Sequence, residues 1–239
     1  MIEISRNKKQ IAVLLDPDKI ITGDVPAWLN IVNDAQPDFI FLGGSTLRGE
    51  IDVIAEKVKS GTNIPVILFP GDSNQISRYA DGLLLLSLIS GRNPELLIGK
   101  HITAARKIKS SELDVIPTGY ILIDGGRISA TQRVSLTAPI ARDDIDKAVN
   151  TALAGELLGM KAIYLEAGSG ALNPVPHSII SQVRKNINIP LIVGGGMRNN
   201  THIAEAIESG ADLLVIGNHF EKKPDEMRDF CNYVHSFNL

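Results

Sequence analysis

The sequence predicts an α/β fold, a single (β/α)8 TIM barrel over residues 1–239, and three observations predict it. Eight short apolar runs are spaced along the chain, the intervals between most of them carry helical periodicity, and 239 residues is close to the roughly 250 typical of such a barrel. The runs are near-continuous and do not alternate, which is the pattern of strands buried on both faces of a parallel sheet covered by helices. A doubly wound sheet is the alternative packing of the same βα order.

The first run, Ile11 to Leu15, leads into a helical stretch holding Trp28, which reads as a packing residue. The second, Phe39 to Leu42, is followed by Ile51, Ile54, Ala55 and Val58, spaced i, i+3, i+4 and i+7 as on one helix face. Between the third run, Val66 to Phe69, and the fourth, Leu83 to Leu86, only Pro70 to Gly82 is available. The third helix is therefore shortened or replaced by a loop. The fifth run, Val115 to Ile123, gives way to Asp124 to Ala141, which has no helical period and carries a Gly-Gly turn. That stretch reads as a surface hairpin or as a flap over the mouth of the barrel. Helical spacing returns over 142–158 ahead of the sixth run, Ala162 to Leu165, and over 200–209 between the seventh, Leu191 to Val193, and the eighth, Leu213 to Ile216.

The composition, 44% hydrophobic and 21% charged, excludes a disordered chain. With 24 Lys and Arg against 27 Asp and Glu the net charge is -3, so bulk attraction to nucleic acid or to an anionic membrane is not expected. Cys231 is alone, which excludes an intrachain disulfide and any cysteine-based zinc cluster, and it reads as core. The five histidines show no ligand spacing, and His219, after the eighth-strand loop, lines the pocket or, more simply, is an exposed loop residue. The N-terminus has no apolar signal segment and no run approaches a membrane span, so a soluble cytoplasmic protein is expected.

In a parallel barrel the chemistry sits where strands end and βα loops begin. Gly194-Gly195-Gly196-Met197 follows the seventh strand and Gly217-Asn218-His219 the eighth. Backbone amides freed by glycines ahead of a helix make an anion nest, and these two loops are the usual phosphate site of the fold. Tight turns alone are the other explanation of those glycines. The sixth strand ends Tyr164-Leu165-Glu166-Ala167-Gly168-Ser169-Gly170, and alternation puts Tyr164 and Glu166 on one face. Glu166 can take a proton from a substrate held against the small residues, or it is a structural carboxylate. Asp16 follows Leu15 directly and is either a hard ligand for magnesium shared with a substrate phosphate or a helix cap. Gly43-Gly44-Ser45-Thr46 offers amides and hydroxyls at the next position, or a turn with a Ser or Thr cap.

Asp16-Pro-Asp-Lys, Gly43-Gly-Ser-Thr, Tyr164-Leu-Glu-Ala-Gly-Ser-Gly-Ala, Val193-Gly-Gly-Gly-Met-Arg and Gly217-Asn218 together resemble the geranylgeranylglyceryl phosphate synthase family, which includes the bacterial heptaprenylglyceryl phosphate synthases. The likeness runs in order along nearly the whole chain, with Met197 where an Ile is common. It implies a barrel lacking the third helix and a prenyltransferase that joins sn-glycerol 1-phosphate to a polyprenyl diphosphate, most simply geranylgeranyl diphosphate, in phospholipid and ether-lipid biosynthesis. It implies Mg2+ at Asp16 and Ser45, glycerol phosphate along Tyr164 to Gly170, and the phosphate on Gly194, Gly195, Gly196, Gly217 and Asn218. Glu166 would be the base. The leucines from Leu83 to Leu88 would wall the prenyl groove near the missing helix. A homo-oligomer, dimer or hexamer, is implied, with transient membrane contact for the lipid product. Two rival readings stay open: an FMN enzyme using the same glycine loops, and a non-catalytic phosphoester-binding barrel. The prenyl chain length is not fixed by sequence.

Overall fold

A computed structural model describes residues 2–20, 24–44 and 50–238. Eight parallel strands close into a barrel in the order of the chain. They are β1 (Gln10–Leu15), β2 (Phe39–Leu42), β3 (Val66–Leu68), β4 (Gly82–Leu88), β5 (Asp114–Leu122), β6 (Ala162–Glu166), β7 (Leu191–Gly194) and β8 (Leu213–Ile216). The helices are α1 (Pro17–Ile20), α2 (Val25–Ala35), α3 (Ile51–Ser60), α4 (Lys100–Ser110), α5 (Ala130–Ser135), α6 (Ile145–Leu157), α7 (His177–Asn186), α8 (Asn200–Glu208), α9 (Asn218–Lys222) and α10 (Met227–Ser236). Between β3 and β4 the described chain is turns and bends with no helix, and a π-helical turn, Glu95–Gly99, leads into α4.

Each strand feeds two cores, because successive side chains point to opposite faces. Ala12, Phe41, Ile67, Leu84, Tyr120, Tyr164, Ile192 and Val215 fill the barrel interior. Their neighbours Ile11, Ile40, Val66, Leu83, Ile121, Leu165 and Leu214 join the helix faces outside. That division explains runs apolar at every position. Inside, an aromatic chain links Phe41 to Phe69 (6.2 Å between ring centroids), Phe69 to Tyr164 (5.6 Å) and Tyr164 to Tyr120 (5.1 Å). Trp28 packs on the outer core and Cys231 is buried in it, as expected.

The stretch from 124 to 141 departs from the hairpin reading. It contains the six-residue helix α5, whose cap Ser129 accepts from the Gln132 amide at 3.0 Å, and Ile140 bridges Ile123 in parallel. A buried Ile140 draws the returning chain against the end of β5, so no antiparallel ladder forms.

At the N-terminal face one device recurs. The residue just before β2, Asp38, donates its amide to the Ile11 carbonyl (2.9 Å) and accepts the Ile11 amide on its carboxylate (3.0 Å). Asp81, before β4, does the same to Val66, and Asp212, before β8, to Leu191. Before β6 stands Lys161, whose amide donates to Pro117 at 2.7 Å. Proline has no N–H to offer, so no carboxylate is needed there. The carboxylates are also paired with cations. Asp38 meets Lys8 and His235, Asp81 meets Lys59, and Asp212 meets Arg184 and Lys9.

Candidate active site

The opposite, C-terminal face gathers the residues singled out in the sequence. On β6, Tyr164 lies in the barrel interior and Glu166, two residues on, is buried above it. Leu165 and Ala167 belong to the outer core, so their side chains are no part of the mouth and only their backbone faces it. The Glu166 carboxylate accepts the Gly168 amide at 2.6 Å. Burial pushes its pKa up to about 7, while the Gly168 amide and the neighbouring Tyr164 phenol work against the rise. The Tyr164 hydroxyl is itself buried and makes no hydrogen bond of good geometry within the chain. Burial, with the Glu166 charge beside it, raises its pKa well above the ordinary value, so it remains a phenol and a donor.

The loop after β7 closes over this pair. A Cβ on Gly194 would stand 2.3 Å from the Tyr164 hydroxyl and 2.9 Å from Glu166 Oε2, so a side chain there would fill the space the two polar groups share. Gly195 adopts φ +84° and a Cβ on it would meet Glu166 Oε1 at 2.5 Å, so glycine is required on both counts. Gly196 follows in the same left-handed region, and Asn199 caps α8 by accepting the His202 amide at 2.9 Å. From the neighbouring strand, Asn218 at the start of α9 accepts the Ser169 hydroxyl at 3.1 Å, joining the eighth-strand loop to the sixth. Gly168, Gly170, Gly194, Gly195, Gly196, Gly217 and Asn218 thus gather at the ends of β6, β7 and β8 around the Glu166 carboxylate.

Asp16 is half-buried at the end of β1, with Ala12 and Leu14 below it on the inward face. Its Oδ1 accepts the Asp18 amide at 3.1 Å, and it lies beside Gly44, where a Cβ would be 3.2 Å from Oδ1. The cap and the mouth position are therefore both realised. Ser45 and Thr46 lie outside the described residues. Among the described residues no group of three or more His, Cys, Asp or Glu could hold a metal ion by itself.

Where the third helix is missing, an apolar groove with a cavity volume of about 130 Å³ runs up the barrel side. Leu85, Leu86 and Leu88 of β4 form one wall, with Phe69 and Ile76 from the preceding loop, Leu96, Ala104 and Ile108 opposite, and Val134 of α5 over it. Leu83 and Leu84 are spent on the two cores instead. Tyr120 and Gly44 lie at its inner end, so the groove reaches the mouth.

Three residues here escape the sequence reading, and a fourth, His219, departs from it. Gln75, buried in the loop after β3, accepts the Gly71 amide (3.2 Å) and donates to the Gly44 carbonyl (2.9 Å), tying the second and third loops together. His101 reaches the Leu86 carbonyl at 2.8 Å beside the groove. Arg127 bonds the Gly170 carbonyl at 3.3 Å. His219 is not an exposed loop residue but part of α9, stacked on Phe230 and bonded to Glu226 at 2.7 Å. Only Gln75, in a loop too short for a helix, left any trace in sequence.

Comparison with known proteins shows the family and the fold. Residues 3–234 match the PcrB family. A protein of Zunongwangia profunda named geranylgeranylglyceryl phosphate synthase is 53% identical over 90% of this chain and 92% of its own, and one of the same name from Chitinophaga pinensis is 46% identical over 95% and 91%. Among solved structures, (S)-3-O-geranylgeranylglyceryl phosphate synthase from Thermoplasma acidophilum, in complex with its substrate sn-glycerol-1-phosphate, superposes with a TM-score of 0.88. It is 30% identical and the match covers 97% of this chain and 95% of that one.

Proposed function

The chain belongs to the PcrB family, and from that premise we propose that it is a prenyltransferase joining sn-glycerol 1-phosphate to a polyprenyl diphosphate, with geranylgeranyl diphosphate as the expected donor. The products are a prenylglyceryl phosphate ether and diphosphate. One observation carries the reading from the structure. A buried carboxylate whose pKa is pushed up to about 7 lies among the glycines that end β6 and β7, close to Tyr120, which lines the apolar groove.

The chemistry follows from that placement. The glycerol phosphate lies along Tyr164 to Gly170 with its phosphate against the amides of Gly194, Gly195, Gly196, Gly217 and Asn218. This sets a glycerol hydroxyl beside Glu166. A neutral alcohol is a weak nucleophile, and Glu166 accepts its proton as the new carbon–oxygen bond forms at the prenyl C1 and the bond to diphosphate breaks. Tyr164, beside Glu166, donates its hydroxyl to a substrate oxygen and stays protonated. The groove holds the tail and keeps water from the allylic carbon while it carries positive character.

The residues fit magnesium as an ion shared with the diphosphate, since Asp16 presents a hard carboxylate at the mouth beside Gly44. When bound, it offsets charge on the departing diphosphate. Ser45 is the second protein ligand in this reading. In this reading the enzyme works in the cytoplasm as a dimer or hexamer. No helix among the described residues is long and apolar enough to cross a membrane.

Incubation with sn-glycerol 1-phosphate, magnesium and prenyl diphosphates of graded length tests the whole reading. A product of the mass of the ether, formed only with magnesium, is expected. Glycerol phosphate binding without release of diphosphate would leave a binding barrel, and a yellow purified protein would point to flavin.

A further inference from the structure

The described surface carries large apolar side chains in places where folding gives no reason for them, and four lie on the loops after β5 and β6, one of them lining the groove. Ile128, Val134, Leu136 and Leu172 are each more than half exposed. They lie on two loops that are tied together. The Leu172 amide donates to the Gly125 carbonyl at 2.9 Å, and Arg127 bonds the Gly170 carbonyl. Val134 also lines the groove, so this rim is continuous with it. Leu136 is the sharpest case. It is 90% exposed and caps α5 at φ 53°, a left-handed conformation that disfavours a bulky side chain. Glycine or asparagine would serve the fold better, so the leucine has to be explained by something outside it.

The charge on this rim has one sign. From residue 125 to 141 the sequence is GGRISATQRVSLTAPIA, with Arg127 and Arg133 and no acidic residue, although the whole chain is net acidic. Both arginines are exposed and each precedes one of the apolar residues in sequence, Ile128 and Val134. Apolar side chains to enter the acyl boundary, with guanidinium groups beside them for lipid phosphates, is the composition of an interfacial anchor.

We propose that this rim, formed by 127–136 and Leu172, docks on an anionic bilayer, so that the groove opens onto the membrane from which a prenyl diphosphate enters and into which the ether lipid leaves. The proposal rests on the prenyltransferase reading, since an apolar tail is what requires a bilayer at the groove's end. A protein partner or a second copy of the chain is the competing occupant. The one-signed charge and the continuity with an apolar groove favour the bilayer.

The test uses the full chain and flotation with vesicles of phosphatidylcholine alone or mixed with phosphatidylglycerol. The protein should float with the mixed vesicles, be released by salt, and stay behind with phosphatidylcholine alone. Leu136→Asn keeps the left-handed cap, so thermal unfolding should be unchanged or later. Its vesicle affinity should fall about tenfold, the order expected for losing one partly inserted leucine. Arg133→Gln should weaken binding to mixed vesicles about fivefold, one surface charge's worth. Both variants should turn over a detergent-dispersed donor at the wild-type rate and a vesicle-embedded donor more slowly. Wild-type protein that never floats, or variants that float as it does, would overturn the docking surface. So would a Leu136→Asn chain that loses self-association but floats normally, because the rim would then join copies of the chain. Wild-type chain that turns over no donor even in detergent would instead sink the prenyltransferase reading, so the two failures are separable.

Discussion

Replacing Glu166 by Gln should slow the enzyme and stabilise the protein at once, and the second effect can be worked from the burial. The carboxyl is buried and its pKa stands at about 7 against an ordinary 4.5. The fold therefore holds the proton more tightly than the unfolded chain does. Below pH 4.5 both states are protonated and nothing is lost. As pH rises toward 7 the unfolded chain ionises while the fold resists, and stability declines; above 7 the loss is complete. A shift of that size is worth about 3 kcal/mol. Gln keeps the acceptor for the Gly168 amide and carries no charge, so the variant should gain up to about 3 kcal/mol at pH 8 and nearly nothing at pH 4. Denaturant unfolding of both proteins at the two pH values measures the difference. Turnover should fall about 10²- to 10⁴-fold with little change in substrate binding, because only the base is gone. Wild-type turnover should in turn rise with pH through about 7 as Glu166 ionises. A gain that is equal at pH 4 and pH 8 would refute the buried charge, and near wild-type turnover where chemistry limits the rate would refute the base.

Other substitutions separate the parts of the mouth. Gly195→Ala forces a side chain into a left-handed backbone and against Glu166, so glycerol phosphate affinity should drop, with a folding cost of about 1–2 kcal/mol, both read by calorimetry on the folded protein. Asp16→Asn retains the acceptor for Asp18, so the protein should fold and bind glycerol phosphate normally while magnesium-dependent turnover falls about 10²-fold or more. Gln75→Ala leaves the Gly44 carbonyl and the Gly71 amide without their partner, which should cost about 1–3 kcal/mol in urea unfolding and raise the KM for the prenyl donor more than that for glycerol phosphate.

The strands and the mouth were legible in the sequence for one reason. Strands such as β2, β3 and β6 are buried on both faces, so Phe39 to Leu42 or Ala162 to Leu165 can be read without knowing their neighbours. The two-residue alternation then aims Glu166 wherever it aims Tyr164. Helix α5 could not be read that way. Six residues do not establish a helical period, and its stability comes from the Ser129 cap and its seat over the groove. Gln75, His101 and Arg127 act through carbonyls and amides of distant loops, and such partners exist only once the barrel closes. Alternation does explain why Leu165 and Ala167, though inside the most specific motif, contribute backbone alone.

The carboxylates at the N-terminal face divide the barrel into couples. β1 with β2, β3 with β4 and β7 with β8 are each buckled by one aspartate that takes both polar groups of a single residue on the earlier strand. The couple β5 with β6 has half a buckle, because Pro117 offers only its carbonyl. Opening of the barrel on that side is thus graded by arithmetic of two. Amide exchange should reach β5 and β6 before the other couples, and a cut in the chain between α3 and β3, which separates couples, should be tolerated better than one between α2 and β2, which parts a buckle from its strand. The missing half is also a vacancy that chemistry could fill. Pro117→Ala alone would expose an unpaired amide, and Lys161→Asp beside it would supply the carboxylate that the other three couples already have.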